Sequence, residues 1–388
     1  MNRFGNEEIE AVKNVIENGK YLSGFTTHFR GGDEVQKFEE EFAQFIGVKH
    51  AICVNSGTSA LFIAFLSAIQ LGKKNSNVKF QTPDIHIPAT TFTADPSSAL
   101  LAGGKIAFED IDKKTYCMIP PSSNCTISVP TYLLGNAMEQ IDFGNSDFVI
   151  EDCCQALGTT INGKKVGGFG DMSVFSFQET KHITTLGEGG MICSNNEELI
   201  EIVAGIRNHA EFYSGQNYLG GNFRMTEVQA AFGRIQLKKL NAILKDFREN
   251  AEYIIKNLPE GILPPYVPTN VEHSYLIIGC LYDEKIINTN RENFLAQLTE
   301  NRHHILENDE KSDIKGINMK SGKLISSGYN MPLYEVPRYK SFKPKNGCPN
   351  AEEFVKKSLW MDIHKFRNKN EIDEELDILK NTIKEFQK

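Results

Sequence analysis

Apolar residues in this chain follow two rhythms. Short runs such as Ala51-Ile52-Cys53-Val54, Ile85-His86-Ile87-Pro88, Ile106-Ala107-Phe108, Phe148-Val149-Ile150 and Val174-Phe175-Ser176-Phe177 alternate with segments where apolar side chains return every three or four residues. Short runs bounded by turn residues suit strands buried on both faces, and the longer spacing suits amphipathic helices. Helices are predicted over Glu7–Asn18, Asp33–Ile46, from about Ser59, over 196–207, Thr226–Lys256, Arg291–Leu298 and Ile372–Phe386. Further strands are predicted at Cys125–Pro130, Met191–Cys193 and Tyr275–Cys280. Strands alternating with helices predict an α/β fold with a doubly wound, mainly parallel sheet. Ligands of such sheets bind beyond the carboxyl ends of the strands, so the ends at Val54, Pro88, Pro130 and Ile150 converge on one expected crevice.

The residues at those ends carry the candidate chemistry. The run 174–177 breaks into polar residues around Lys181, then Gly187-Glu188-Gly189-Gly190 leads into a second apolar run. A lysine held between two strands loses part of its hydration, which disfavours its charged form and leaves a better nucleophile. A solvated loop lysine is the competing reading. The strand at 148–150 ends in Glu151 and Asp152. An acid there points into the crevice, or serves as a turn former or helix cap. Asn55-Ser56-Gly57-Thr58-Ser59 opens a helix, where free N–H groups, hydroxyls and the positive dipole end offer either an anion site or a simple cap. Phe92 follows the strand at 85–88 and reads as a core residue or a stacking platform.

Five motifs stand in order: Asn55-Ser56-Gly57-Thr58-Ser59-Ala60, Glu151-Asp152-Cys153-Cys154-Gln155-Ala156, Ser176-Phe177 with Lys181, Gly187-Glu188-Gly189-Gly190, and Gly221-Asn222-Phe223-Arg224-Met225-Thr226-Glu227. Together they resemble the sugar aminotransferases of the DegT/DnrJ/EryC1/StrS family, pyridoxal phosphate enzymes of the aspartate aminotransferase fold (type I). The resemblance spans nearly the whole chain and is densest from about Glu34 to Leu240. It implies a large cofactor-binding domain with a mainly parallel sheet and a smaller C-terminal α+β domain. It also implies that Lys181 holds the cofactor covalently and moves the proton. Asp152 then faces the pyridine nitrogen and Gln155 the ring hydroxyl. Gly57, Thr58, Ser59 and Ser176 anchor the phosphate, and Phe92 lies on the ring. Asn222, or Arg224 beside it, reaches the partner's cofactor in a homodimer with shared active sites. The implied substrates are an amino-acid donor, usually glutamate, and a nucleotide-linked keto sugar, usually a 4-keto-6-deoxysugar.

Three departures bear on that picture. Pro332-Leu333-Tyr334 has tyrosine where the family usually has histidine near the sugar, so Tyr334 becomes the substrate candidate. Ala210 replaces a usual glycine, and His209 beside it is given no role. The polar run 72–79 reads as a surface insertion. A related branch dehydrates its sugar and carries histidine at the lysine position. His182 is one residue beyond that position, so transamination is expected, and an intact Asp152, Gln155 and Lys181 argue against a silent regulatory homologue.

Bulk properties narrow the rest. The 388 residues suit one large and one smaller domain, and the expected division is 1–30 as an N-terminal arm, 31–257 as the large domain and 258–388 as the small one after a proline cluster. With 50 acidic against 42 basic residues, the net charge of −8 opposes a nucleic-acid partner. No apolar stretch reaches membrane-spanning length, and the first residues lack the apolar core of a signal peptide. Eight scattered cysteines without a CxxC pair predict reduced thiols, no metal site and a cytoplasmic protein.

Overall fold

The computed structural model describes residues 3–24, 30–74, 82–210, 218–303, 325–363 and 369–387. Helix α1 (Asn6–Asn18) leads to α2 (Asp33–Ile46), strand β1 (His50–Val54) and α3 (Gly57–Lys74). There follow β2 (Asp84–Pro88), α4 (Ala94–Leu101), β3 (Lys105–Glu109), β4 (Cys125–Ser128) and β5 (Ser146–Asp152). A small ribbon, β6 (Thr160–Ile161) and β7 (Lys164–Lys165), precedes β8 (Met172–Ser176), β9 (Gly190–Ser194), α5 (Glu197–Arg207) and the long α6 (Glu227–Lys256).

Seven strands form one sheet in the order β1-β9-β8-β5-β4-β2-β3. The pairs β2–β3, β2–β4, β4–β5 and β5–β8 are parallel, and β9 alone runs antiparallel to both its neighbours. The predicted α/β architecture is therefore observed. Strand interiors such as Ile52, Ile87, Ile127, Ile150 and Val174 are fully buried, as expected of a sheet covered on both faces.

The rest of the chain builds a second sheet from β10 (Ile262–Leu263), β12 (Ile278–Tyr282), β13 (Ile325–Ser326) and β14 (Ser358–Met361), while β11 (Val271–Glu272) joins the ribbon. Helices α7 (Glu284–Ile287), α8 (Arg291–His303), α9 (Pro349–Lys357) and α10 (Lys369–Phe386) accompany it.

Several predicted bounds move for identifiable reasons. Tyr275 takes a left-handed φ of 52° with its ring stacked 4.0 Å from that of His273, so the strand predicted from Tyr275 starts at Ile278. Strand β3 stops at Glu109, where the Asp110 carboxylate turns to accept from the first N–H groups of α9, Asn350 and Ala351. Helix α3 continues to Lys74 through part of the expected insertion, whose residues 75–79 lie outside the described set. On α1 only Val15 of the expected apolar stripe is buried, while Ile9 and Ile16 are open.

Candidate active site

Lys181 sits on the loop between β8 and β9. The loop is closed by Glu179 N–H donating to Gly187 O at 2.9 Å and by the Thr184 hydroxyl donating to Phe177 O at 2.8 Å. The arm fixes it from outside: the buried Arg3 guanidinium donates to the carbonyls of Glu179 (2.7 Å) and Lys181 (2.8 Å). The lysine amine has no hydrogen bond or ion pair among the described residues. Burial pushes its pKa down, opposed by the Cys154 and Asp152 side chains it faces. His182 points elsewhere. Its ring is buried 5.0 Å from Phe247 with Nε2 donating to Ser274 O, and burial lowers its pKa to about 4.

The two acids ending β5 separate by strand alternation. Glu151 is a structural anchor, accepting from the Tyr132 hydroxyl (2.6 Å) and from the backbone of Gly167, Phe169 and Gly170. Asp152 faces the crevice and accepts from Cys154 N–H at 2.9 Å. Beside it lies Asp95, from the first turn of α4, with no exposed surface. Burial raises the pKa of both, with the helping contacts of Cys154 and Lys181 on the side of Asp152.

The opposite end of the site is built of backbone. Val54, Gly190 and Ser176 lie in register across β1, β9 and β8. A Cβ on Gly190 would stand 2.5 Å from Ser56 O and 2.8 Å from Gly57 N; one on Gly57 would stand 2.8 Å from Ser176 Cβ. Ser56 caps α3 by accepting from Ser59 N–H at 3.1 Å, and its hydroxyl donates to that of Ser59. Gly57 and Thr58 precede the intrahelical donors, so their N–H groups lie at the positive end of an eighteen-residue helix. Thr58 is exposed and Ser59 half-buried.

Around these two ends the remaining candidates take distinct places. Phe92 presents a ring that is 52% exposed, at the carboxyl end of β2. Gln155 Oε1 accepts from Leu134 N–H at 2.8 Å, leaving its amide nitrogen 3.5 Å from the Tyr329 hydroxyl. Asn222 is exposed and bridged through its backbone to Asn208, whose Oδ1 accepts from Arg224. Tyr334 does not match its expected substrate role. It has no exposed surface; its hydroxyl donates to Glu352 (2.7 Å) and accepts from Cys348 N–H (3.0 Å), so it ties the segment to α9. Tyr329, which faces Asp95 and Asp152, is the aromatic hydroxyl that the C-terminal segment brings to the crevice. Sequence reasoning missed Tyr329, Arg3 and Asp95. Asp95 reads along the chain as an ordinary acidic residue of a first helical turn, and nothing local marks the other two.

A model of the DegT/DnrJ/EryC1/StrS aminotransferase family matches residues 2–308. The chain belongs to this aminotransferase family. It is 32% identical over 365 residues to the UDP-4-amino-4,6-dideoxy-N-acetyl-beta-L-altrosamine transaminase of Campylobacter jejuni, over 87% of this chain and 86% of that protein. Helicobacter pylori PseC, an aminotransferase involved in the biosynthesis of pseudoaminic acid, superposes with a TM-score of 0.79 at 24% identity, over 99% of this chain and 98% of that one. A GDP-4-keto-6-deoxymannose-3-dehydratase with a trapped PLP–glutamate geminal diamine superposes with a TM-score of 0.79 at 21% identity, over 98% of each chain. These likenesses show the fold. The choice between transamination and dehydration rests on the aminotransferase family and on the placement of Lys181 and His182.

Proposed function

We propose that this aminotransferase uses pyridoxal phosphate to move an amino group from an amino acid, glutamate, to a nucleotide-linked 4-keto-6-deoxysugar. The carrying observation is the half-buried, unpaired Lys181 amine facing Asp152 in the crevice. The crevice fits the cofactor: a helix N-terminus tightened by two glycines where a Cβ would collide receives a phosphate, and a buried acid with its own donors stands opposite. When bound, the cofactor supplies a covalent attachment point and an electron sink for the donor's carbon.

The chain's own groups do the rest. Gly57, Thr58, Ser59 and Ser176 would hold the phosphate, Phe92 would cover the ring face, and the Gln155 amide nitrogen would donate to the ring hydroxyl. Asp152 would keep the ring nitrogen protonated. Lys181, with its amine partly desolvated, would be the nucleophile that holds the cofactor and, once the amino donor has displaced it, the base that carries the donor's proton. The exposed Asn222 and the open Ile9 and Ile16 of the arm support a homodimer in which one copy completes its partner's site. The C. jejuni transaminase supports a nucleotide-linked amino sugar as product, and the glutamate adduct trapped in the dehydratase supports glutamate as donor. Eight unbridged cysteines support a reducing, cytoplasmic setting. The arm, large and small domains are read as 1–30, 31–257 and 258–388.

The test is an absorbance spectrum of the purified chain with pyridoxal phosphate, before and after glutamate, beside Lys181→Ala. A visible band that glutamate removes and nucleotide-linked keto sugars restore is the expected result. Failure of the wild type to form such a band sinks the cofactor reading. A band indifferent to glutamate sinks the donor assignment.

A further inference from the structure

Two buried carboxyl groups, not one, stand at the ring-nitrogen end of the crevice. Asp152 comes from the end of β5 and Asp95 from the first turn of α4, close enough that each bears on the other's ionisation. Asp95 has no exposed surface. The Thr91 hydroxyl donates to its Oδ2, while its Oδ1 is fully buried with no donor in reach. An ionised carboxylate left in that state loses the hydration and hydrogen bonds that a charge demands. Two adjoining carboxylates in a dry site cannot both be ionised, so one proton serves the pair.

The surroundings decide which group keeps it. Asp152 accepts from Cys154 N–H at 2.9 Å and faces the Lys181 amine. Asp95 has only the Thr91 hydroxyl besides its neighbour. The other titratable groups nearby are the Cys154 thiol and the Tyr329 hydroxyl, both held neutral by burial that raises their pKa values. Anion-stabilising partners thus gather on Asp152, and the acid form suits Asp95.

We propose that Asp95 is a positioning residue, a neutral carboxylic acid whose O–H donates to Asp152 and keeps Asp152 anionic toward the cofactor's ring nitrogen. A carboxylate that already accepts a charge-assisted hydrogen bond is a weaker base, so the shared proton stays on the ring. The ring then carries full positive charge and draws electrons more strongly. This inference rests on Asp152 being the ring-nitrogen partner.

The experiment uses the full chain loaded with ring-¹⁵N pyridoxal phosphate and reads two signals. One is the ¹⁵N shift, which reports whether the ring nitrogen is protonated; the other is the pH midpoint of the visible absorption band. Asp95→Asn supplies an N–H donor in the same place and is expected to keep the protonated ¹⁵N signal and the wild-type midpoint. Asp95→Ala removes the donor. Its ring nitrogen is expected to lose protonation, and its midpoint to rise by about one pH unit or more as the ring withdraws fewer electrons. If Asp95→Ala matches wild type in both signals, Asp95 is structural and the proposal is overturned. If Asp95→Asn behaves like Asp95→Ala, Asp95 is not a neutral donor, and the proposal again fails. Asp152→Ala separates the underlying assignment: a ¹⁵N signal unmoved by that change overturns the pairing of Asp152 with the ring, and the role of Asp95 with it.

Discussion

The two ends of the crevice are built from different materials. At the proposed phosphate end the donors are backbone N–H groups and short hydroxyls, set by the register Val54–Gly190–Ser176 and open to water at Thr58. At the proposed ring-nitrogen end the polar groups are buried side chains, Asp152 and Asp95, with the partly covered Lys181 facing Asp152. A backbone site tolerates the loss of one side chain because its remaining donors stay in place. A dry side-chain site does not, because each removed partner strands another buried polar group.

Substitutions should expose that asymmetry. The largest effect is expected from Lys181→Ala, a loss on the order of 10³-fold or more in kcat/KM, since nucleophile and proton carrier vanish together. Single-turnover reaction with glutamate checks it, and a residual rate within tenfold of wild type would remove the lysine from the chemistry.

Stability at acid pH probes the dry side behind the lysine. Burial holds His182 at about 4 and His273 at about 3, below the ordinary 6.5. The unfolded chain therefore takes up protons that the folded chain refuses, and stability falls as pH drops from about 6.5 toward 4. The raised acids, among them Glu39, Glu151 and Asp152, act in the opposite sense, so the effect is best read as a difference. A His182→Gln/His273→Gln variant should lose the downward slope, with a difference on the order of 5 kcal/mol across that window by denaturant titration. Parallel pH profiles would show that the imidazoles titrate normally.

Asp152→Ala is expected to cost about 10²-fold in kcat because the proton-retaining charge is lost, and to lower stability by about 1–3 kcal/mol because buried groups beside it, Cys154 N–H among them, lose their partner. An equal loss from Thr58→Val would erase the contrast between the two ends. Gly190→Ala forces a methyl against Ser56 O and Gly57 N, so it should destabilise the chain by roughly 1–3 kcal/mol and weaken cofactor retention together. Thermal melts with and without pyridoxal phosphate separate those two losses. Thr58→Val itself should weaken cofactor affinity by only about tenfold and leave kcat alone. Equilibrium binding to the cofactor-free chain measures it.

Much of this was legible along the chain. Apolar runs located the strands because a sheet covered on both faces needs continuous burial, and helical spacing located α2, α5 and α6 to within a residue or two. Gly57, Asp152 and Lys181 could be singled out because strand ends and helix starts are local signals. The strand at Tyr275 was misplaced because a left-handed residue stacked on His273 leaves no trace in hydropathy.

What the sequence determined by itself was therefore the order and kind of elements, and the residues that stand at their ends. Tertiary structure alone decided the partners. Glu227 reads as an acid in the first turn of its own helix, yet it caps α2 by accepting from Gly32, Glu34 and Val35 N–H groups, some 195 residues away. Arg3 clamps the lysine loop from the far end of the chain. Asp95 meets Asp152, and Tyr334 is withdrawn into a bond with Glu352. Propensity and periodicity act within a few residues of the backbone. The ionisation of a buried carboxyl depends on whichever distant groups the fold packs against it, so chemistry at this site was settled by contact and not by sequence.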